Sequence, residues 1–205
     1  MKKLTLFLIS VSLILGCGKK VLVPPKIDLN TYNKIGLINF SSKTKGKLTA
    51  FVTQKFMEEI QHSQPGTPIV ELGNEEMVLD RINHKNLDLD AIIAIGDHFQ
   101  LDAIITGNLE VTNIQPKINL NTFLTAMSVE AEVNASLSAK LIETIDAATL
   151  WSNSVQGKKT VGNITLSPGG VAIFDAQNPE QAYGELAHWL VVRVTEDFRP
   201  RYVRE

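Results

Sequence analysis

From Thr125 to Leu141 the chain alternates between two kinds of residue without a break. The odd-numbered positions, among them Met127, Val129, Val133, Leu137 and Leu141, are apolar apart from Thr125, and the even-numbered ones run Ala126, Ser128, Glu130, Glu132, Asn134, Ser136, Ser138, Lys140. A period of two is the side-chain period of a β-strand, and no helix sorts these residues onto a dry and a wet side. The run predicts one long strand with a packed face and a solvated face. Asp146-Ala147-Ala148-Thr149 reads as a turn, and Leu150 to Val155 as the antiparallel return arm of a hairpin.

The rest of the chain must supply what covers the dry face. Ile35 to Phe40 reads as a short buried strand, closed by the polar loop Ser41 to Gly46. Leu48, Phe51, Val52, Phe56 and Ile60 mark an amphipathic helix, broken by Gln64-Pro65-Gly66-Thr67-Pro68. Ile69 to Leu72 gives a second strand. Helices follow over Asn74 to Asn83 and Asp88 to Phe99, the latter with Leu89, Ile92, Ile93 and Phe99 on one side. Ala103 to Gly107 opens a strand that continues to about Ile114. Gly157 to Asn178 reads as loop-rich around Pro168-Gly169-Gly170, and a last helix spans Pro179 to Phe198, stopped by Pro200. This order predicts an α/β fold, a two-layer or three-layer-like sandwich whose mixed sheet carries a long antiparallel hairpin with helices packed on it.

The first residues set the compartment. Met1-Lys2-Lys3 precedes an apolar run from Leu4 to Leu15, too short for the ~20 residues of a spanning helix but of the length found in secretory signals. It ends in Ile14-Leu15-Gly16-Cys17, which resembles the lipobox of bacterial lipoproteins, with Leu15 where a small residue is usual. That resemblance implies a signal peptide over 1–16 and acylation of Cys17, the chain's one cysteine, so that the lipid bilayer is its first partner. Residues 17–33, with Pro24-Pro25, read as a tether, 34–198 as the domain and 199–205 as a tail. Gly18, where Asp would favour the inner membrane, implies the outer membrane and its periplasmic face. One cysteine excludes an intrachain disulfide framework. The 20 basic and 22 acidic residues of the full chain exclude a strongly basic nucleic-acid binder. Losing Lys2 and Lys3 leaves 18 basic against 22 acidic residues, a formal charge of −4, which predicts no help from anionic headgroups.

Chemistry-bearing patterns are sparse. Ser41 to Thr49 follows a strand and enters a helix, as a phosphate loop does, but Ser41 replaces the first glycine and Leu48 the magnesium-binding hydroxyl. His62, His84, His98 and His188 show no His-x-x-x-His spacing, and no metal or cofactor is expected. Glu130 and Glu132 share a strand face ~7 Å apart, a separation an inverting hydrolase uses. The same face is otherwise a plain wet sheet surface. Trp151 reads as core, and Trp189, beside the stripe of the last helix, as a partner contact.

Three segments together resemble one family. Asp28-Leu29 ahead of Tyr32 and Ile35-Gly36-Leu37 is similar to the opening D-[LV]-x-x-Y-x-x-[IV]-[AG]-[VL] of the CsgG/LpoB/TolB-N group of envelope proteins. Leu101-Asp102-Ala103-Ile104-Ile105-Thr106-Gly107 resembles that group's lgaDaiitG strand, and Asp146 to Trp151 its hairpin turn, with Ala148-Thr149 in place of the usual glycine. The resemblance covers about residues 24–198. It implies an α/β sandwich and a non-enzymatic role, since the group includes a curli secretion channel, an activator of a peptidoglycan synthase and the N-terminal domain of a Tol-system protein. The expected function is an envelope assembly, regulatory or interaction module, with an unidentified envelope protein partner, and with a homo-oligomer as a further expectation. Two alternatives stay open: a subunit of an oligomeric outer-membrane secretion channel, and an envelope-polymer hydrolase using Glu130 and Glu132. For the channel, Thr160 to Ala176 and residues 111–123 are the candidate membrane hairpins. Both fall short of the ~9–11 alternating residues per strand that a bilayer requires.

Overall fold

The computed structural model describes residues 19–117, 129–166 and 172–204. The leader 1–16, Cys17, the start of the alternating run at Thr125 to Ser128 and the Pro168-Gly169-Gly170 turn lie outside them. Strands β2 (Ile35–Ile38), β4 (Ile69–Gly73) and the start of β5 (Ala103–Lys117) pair in parallel, with β2 in the middle. Helix α1 (Leu48–Ser63) makes the crossover from β2 to β4. Helices α2 (Glu75–Arg81) and α3 (Leu89–Phe99) make the crossover from β4 to β5. From β5 onward the sheet is antiparallel, through β6 (Val129–Glu143), β7 (Thr149–Leu166) and β8 (Ala172–Phe174). The two-residue strand β3 (Lys45–Gly46) adds parallel to β8, giving the order β3-β8-β7-β6-β5-β2-β4. Helix α4 (Pro179–Val194) and a short 3-10 turn at Glu196–Phe198 close the body. A separate two-stranded ribbon pairs β1 (Lys20–Val23) with β9 (Arg201–Arg204).

The alternation in β6 sorts as the sequence requires. Ala131, Val133, Ala135, Leu137, Ala139 and Leu141 are buried, in one core with Val52, Phe56 and Ile60 of α1 and Leu186, Leu190 and Val194 of α4. Lys140 on the other face is exposed and Asn134, Ser136 and Ser138 are half-buried. That second face changes character along the sheet. At the parallel end α2 and α3 cover it, and a second core gathers Ile38, Leu72, Val78, Ile92, Ile95 and Ile104. Ile142, an even-numbered position, is buried there because the helices reach it. The body is thus three layers at one end and two at the other, which resolves the two forms expected.

Helix starts follow side-chain capping. Asn74 Oδ1 accepts from Met77 N at 2.8 Å, Asp88 Oδ1 from Ala91 N at 3.0 Å and Asn178 Oδ1 from Gln181 N at 3.2 Å. These caps also correct the phase of α3. Leu89 is the first helical residue and 64% exposed, and the covered face is Ala91, Ile92, Ile95 and Gly96.

Two further expectations are corrected. Gly157 to Leu166 is strand, not loop. Lys158 and Lys159 interrupt the apolar pattern, but Lys158 is exposed and pairs with Glu132, half-buried Lys159 reaches Glu185 on α4, and Val161 and Ile164 stay in the core. Residues of the expected tether and tail are not independent either: β1 pairs with β9, and Leu29 is fully buried. Beyond Leu109, β5 pairs only with β6 among the described residues, and a register shift between Val111 and Asn113 leaves Thr112 as a bulge.

Candidate functional site

The loop that imitates a phosphate loop does something else. Ser41 N donates to Gly107 O and Leu109 N to Ser41 O, both at 2.9 Å, which pins the loop's start to β5. Its end is pinned to β8, where Lys47 N donates to Phe174 O. Gly46 makes that approach possible. Its φ is +103°, and a Cβ there would overlap the Phe174 backbone. The loop therefore spans from β5 to β8 and walls an open groove of about 470 Å³. Val111, Ile114, Ala172 and Phe174 give it an apolar lining, and Lys43, Lys45 and Glu110 stand on its rim. Glu110 Oε1 accepts from Asn108 Nδ2 at 3.2 Å. An apolar floor with a few charged groups at the edge suits binding of a chain segment or small molecule.

A second, smaller groove of about 200 Å³ lies where α1 meets α4, lined by Lys55, Glu58, Glu59, His62, His188 and Val191. Two histidines distant in sequence, His62 and His188, both line it. Lys55 pairs with Glu180 at 2.8 Å and Glu58 at 3.0 Å, and these hydrogen bonds raise its pKa above the ordinary lysine value. Among the described residues no three His, Cys, Asp or Glu side chains gather as a metal ion would need.

The carboxylates expected to serve a hydrolase are not set up for it. Glu132 is paired with Lys158 at 2.5 Å, and Glu130 is exposed across from Lys117 on the open sheet face. Neither lines either groove. Trp151 is core, as read from the sequence. Its Nε1 donates to Asp197 Oδ2 at 3.3 Å and its ring packs on Phe198. Trp189 is half-buried, with its ring over Gly157, where any Cβ would overlap it, and the Arg193 guanidinium 5.9 Å from its centroid. One side of that ring packs on the sheet at Gly157. Cys17 lies outside the described residues.

Two groups missed in the sequence hold the chain's ends to the body. Gln64, buried, accepts from Leu29 N at 2.7 Å and donates to Ile27 O at 2.6 Å and Phe198 O at 2.9 Å. Asp197 takes Lys26 Nζ at 2.6 Å, and its backbone oxygen accepts from Lys26 N and Ile27 N. The hydrogen bond from Lys26 lowers the Asp197 pKa below the ordinary carboxylate value. A glutamine just after a helix and an aspartate in the short turn after the last helix carry no periodic signal, so nothing in the sequence marked them. The motif residue Asp102 has a parallel role: its carboxylate accepts from Asn33 N and Lys34 N, seating the entry to β2.

No family model matches the chain, and no curated protein matches it. Solved structures with similar folds include the PelC dodecamer from Paraburkholderia phytofirmans, at 11% identity over 90% of this chain and 99% of that one, TM-score 0.46. The lipoprotein GNA1162 from Neisseria meningitidis is 13% identical over 80% of this chain and 95% of its own, TM-score 0.42. The LpoB C-terminal domain from Escherichia coli is 13% identical over 65% and 88%, TM-score 0.40. LpoB is one of the proteins in the sequence resemblance; CsgG and the TolB N-terminal domain gain no support from these likenesses. With TM-scores below 0.5, none of them identifies the chain.

Proposed function

We propose that this chain is a bacterial envelope lipoprotein, held on the outer membrane by acylated Cys17 and facing the periplasm, and that it works by binding other envelope proteins rather than by catalysis. The observation that carries the reading is the leader. Two lysines, twelve mostly apolar residues and Gly16 run directly into the chain's one cysteine. Acyl chains contribute ~0.8 kcal/mol per buried CH₂, so two or more keep a soluble body on a bilayer. The body supports a binding role: its wet sheet face and the groove beside β5 are open surfaces with polar rims.

The test follows the protein in its own envelope. Intact mass of the membrane-extracted protein gains a diacylglyceryl group and loses residues 1–16, and Cys17→Ser abolishes both changes. Photo-crosslinking from Thr112 at the groove captures a defined envelope protein, and crosslinking from exposed Met77 on α2 does not. An unmodified Cys17 overturns the anchor. Turnover of an envelope polymer that Glu130→Gln abolishes overturns the binding role.

A further inference from the structure

The two-stranded ribbon β1–β9 stands apart from both cores, and its register sorts its side chains. Lys20 lies opposite Arg204 and Leu22 opposite Tyr202, so these four share one face. Leu22 is 54% and Tyr202 71% exposed. On the other face Val23 and Val203 are exposed as well, beside Arg201. Lys19 precedes the ribbon, no acidic residue occurs from Lys19 to Val23 or from Arg201 to Arg204, and Glu205 is the one acid adjoining it in sequence, against four cations. Among the described residues none of these four cations makes a direct ion pair, although Arg201 is close enough to Asp197 to help lower its pKa.

Two features of this arrangement are unfavourable in water. Like charges placed directly across a strand pair repel, and an isolated two-stranded ribbon with exposed apolar side chains is marginal. Both costs are offset by one kind of surface, which supplies anionic groups at the level of the cations and an apolar layer just beneath. A tyrosine beside basic residues is also the side-chain set of a membrane–water interface. The chain's course points the same way. Cys17 is three residues from Lys20, within ~11 Å even when extended.

We propose that the β1–β9 ribbon is a second membrane contact, which lays its Lys20–Arg204 and Leu22–Tyr202 pairs into an anionic phospholipid surface. The overall charge of −4 predicted no such help. The structure concentrates cations where the whole-chain sum dilutes them. The inference takes the nearness of a membrane from the lipoprotein reading, but the chemistry of the ribbon is independent of the acyl group.

The test therefore uses the chain from Gly18, which retains both cores and carries no lipid. Vesicles of phosphatidylcholine with 30% phosphatidylglycerol are compared with vesicles of phosphatidylcholine alone. The protein is expected to partition onto the anionic vesicles only, and to be released at 0.5 M salt. Lys20→Glu with Arg204→Glu weakens partitioning at least thirtyfold, as removal of about two membrane-facing cations requires. Circular dichroism of that variant matches the parent. Tyr202→Trp, a fluorescent reporter, shifts to the blue on the anionic vesicles. Equal partitioning on both vesicles, or no loss in the charge variant, overturns the proposal. So does a ribbon-dependent dimer that forms without vesicles, since the occupant is then a second copy. An unacylated Cys17 in cells would fail the anchor reading while leaving these vesicle results untouched.

Discussion

At the residue scale, stability hinges on polar groups that the apolar pattern does not reveal. Gln64 satisfies one donor and two acceptors on segments up to 134 residues away. Gln64→Leu orphans the buried Leu29 N–H and both carbonyls, and is expected to cost about 3 kcal/mol, read as a fall in the urea midpoint at unchanged slope. Asp197 gives a pH-dependent term. Its pKa is lowered in the folded protein, so the stability it adds is present above the unfolded carboxylate value near ~4 and is lost as pH falls through the lower folded value. The Asp197→Asn variant is expected to lose stability at neutral pH and to show a flatter acid limb below about pH 4 in thermal melts. A parallel acid limb in the two proteins would count against the Lys26 pairing. Gly157 is legible only in three dimensions: Gly157→Val forces the Trp189 ring off the sheet, at a cost of about 2 kcal/mol and with a change in Trp emission.

Elements were the most legible level, because period carries through from sequence to structure. The seventeen-residue alternation gave β6 its faces, and the i, i+3, i+4 stripe gave α4 its buried side, Tyr183, Leu186, Ala187, Leu190, Val191 and Val194. Failures came where another force set the pattern. Leu89 is apolar, yet the Asp88 cap places it at an exposed first turn. Lys158 and Lys159 look like a loop, yet each finds a carboxylate across the sheet or on α4. The β6–β7 turn keeps one legible irregularity. Ala147 sits at φ +57°, a left-handed conformation that favours glycine. Ala147→Gly is expected to raise stability by about 0.5 kcal/mol in equilibrium unfolding, the relief of strain exceeding the loss of a small buried methyl. The groove beside β5 was not legible as a site, because it exists only when Gly46 brings β3 against β8.

For the whole molecule, one sheet carries two regimes, closed by helices on both faces at its parallel end and open on one face where the long strands run on. The ribbon is a third region, joined to the body through the segments beside it, where Asp197 and Gln64 hold the backbone and Leu29 and Phe198 enter the larger core. Amides of β1 and β9 are expected to exchange at least a hundredfold faster than those of β6 in hydrogen-exchange mass spectrometry, because the ribbon has so little buried surface to hold it shut. Equal protection would mean the ribbon is docked in solution. The outer stretch of β5 has a consequence of its own. Among the described residues no strand pairs with its other border, and free backbone groups on such an edge are the raw material for strand-by-strand growth into fibres. The bulge at Thr112 bends that border, and Pro116 lacks the N–H that an added strand would need. Crowded together at high density, such molecules can neighbour one another without templating an endless cross-β stack.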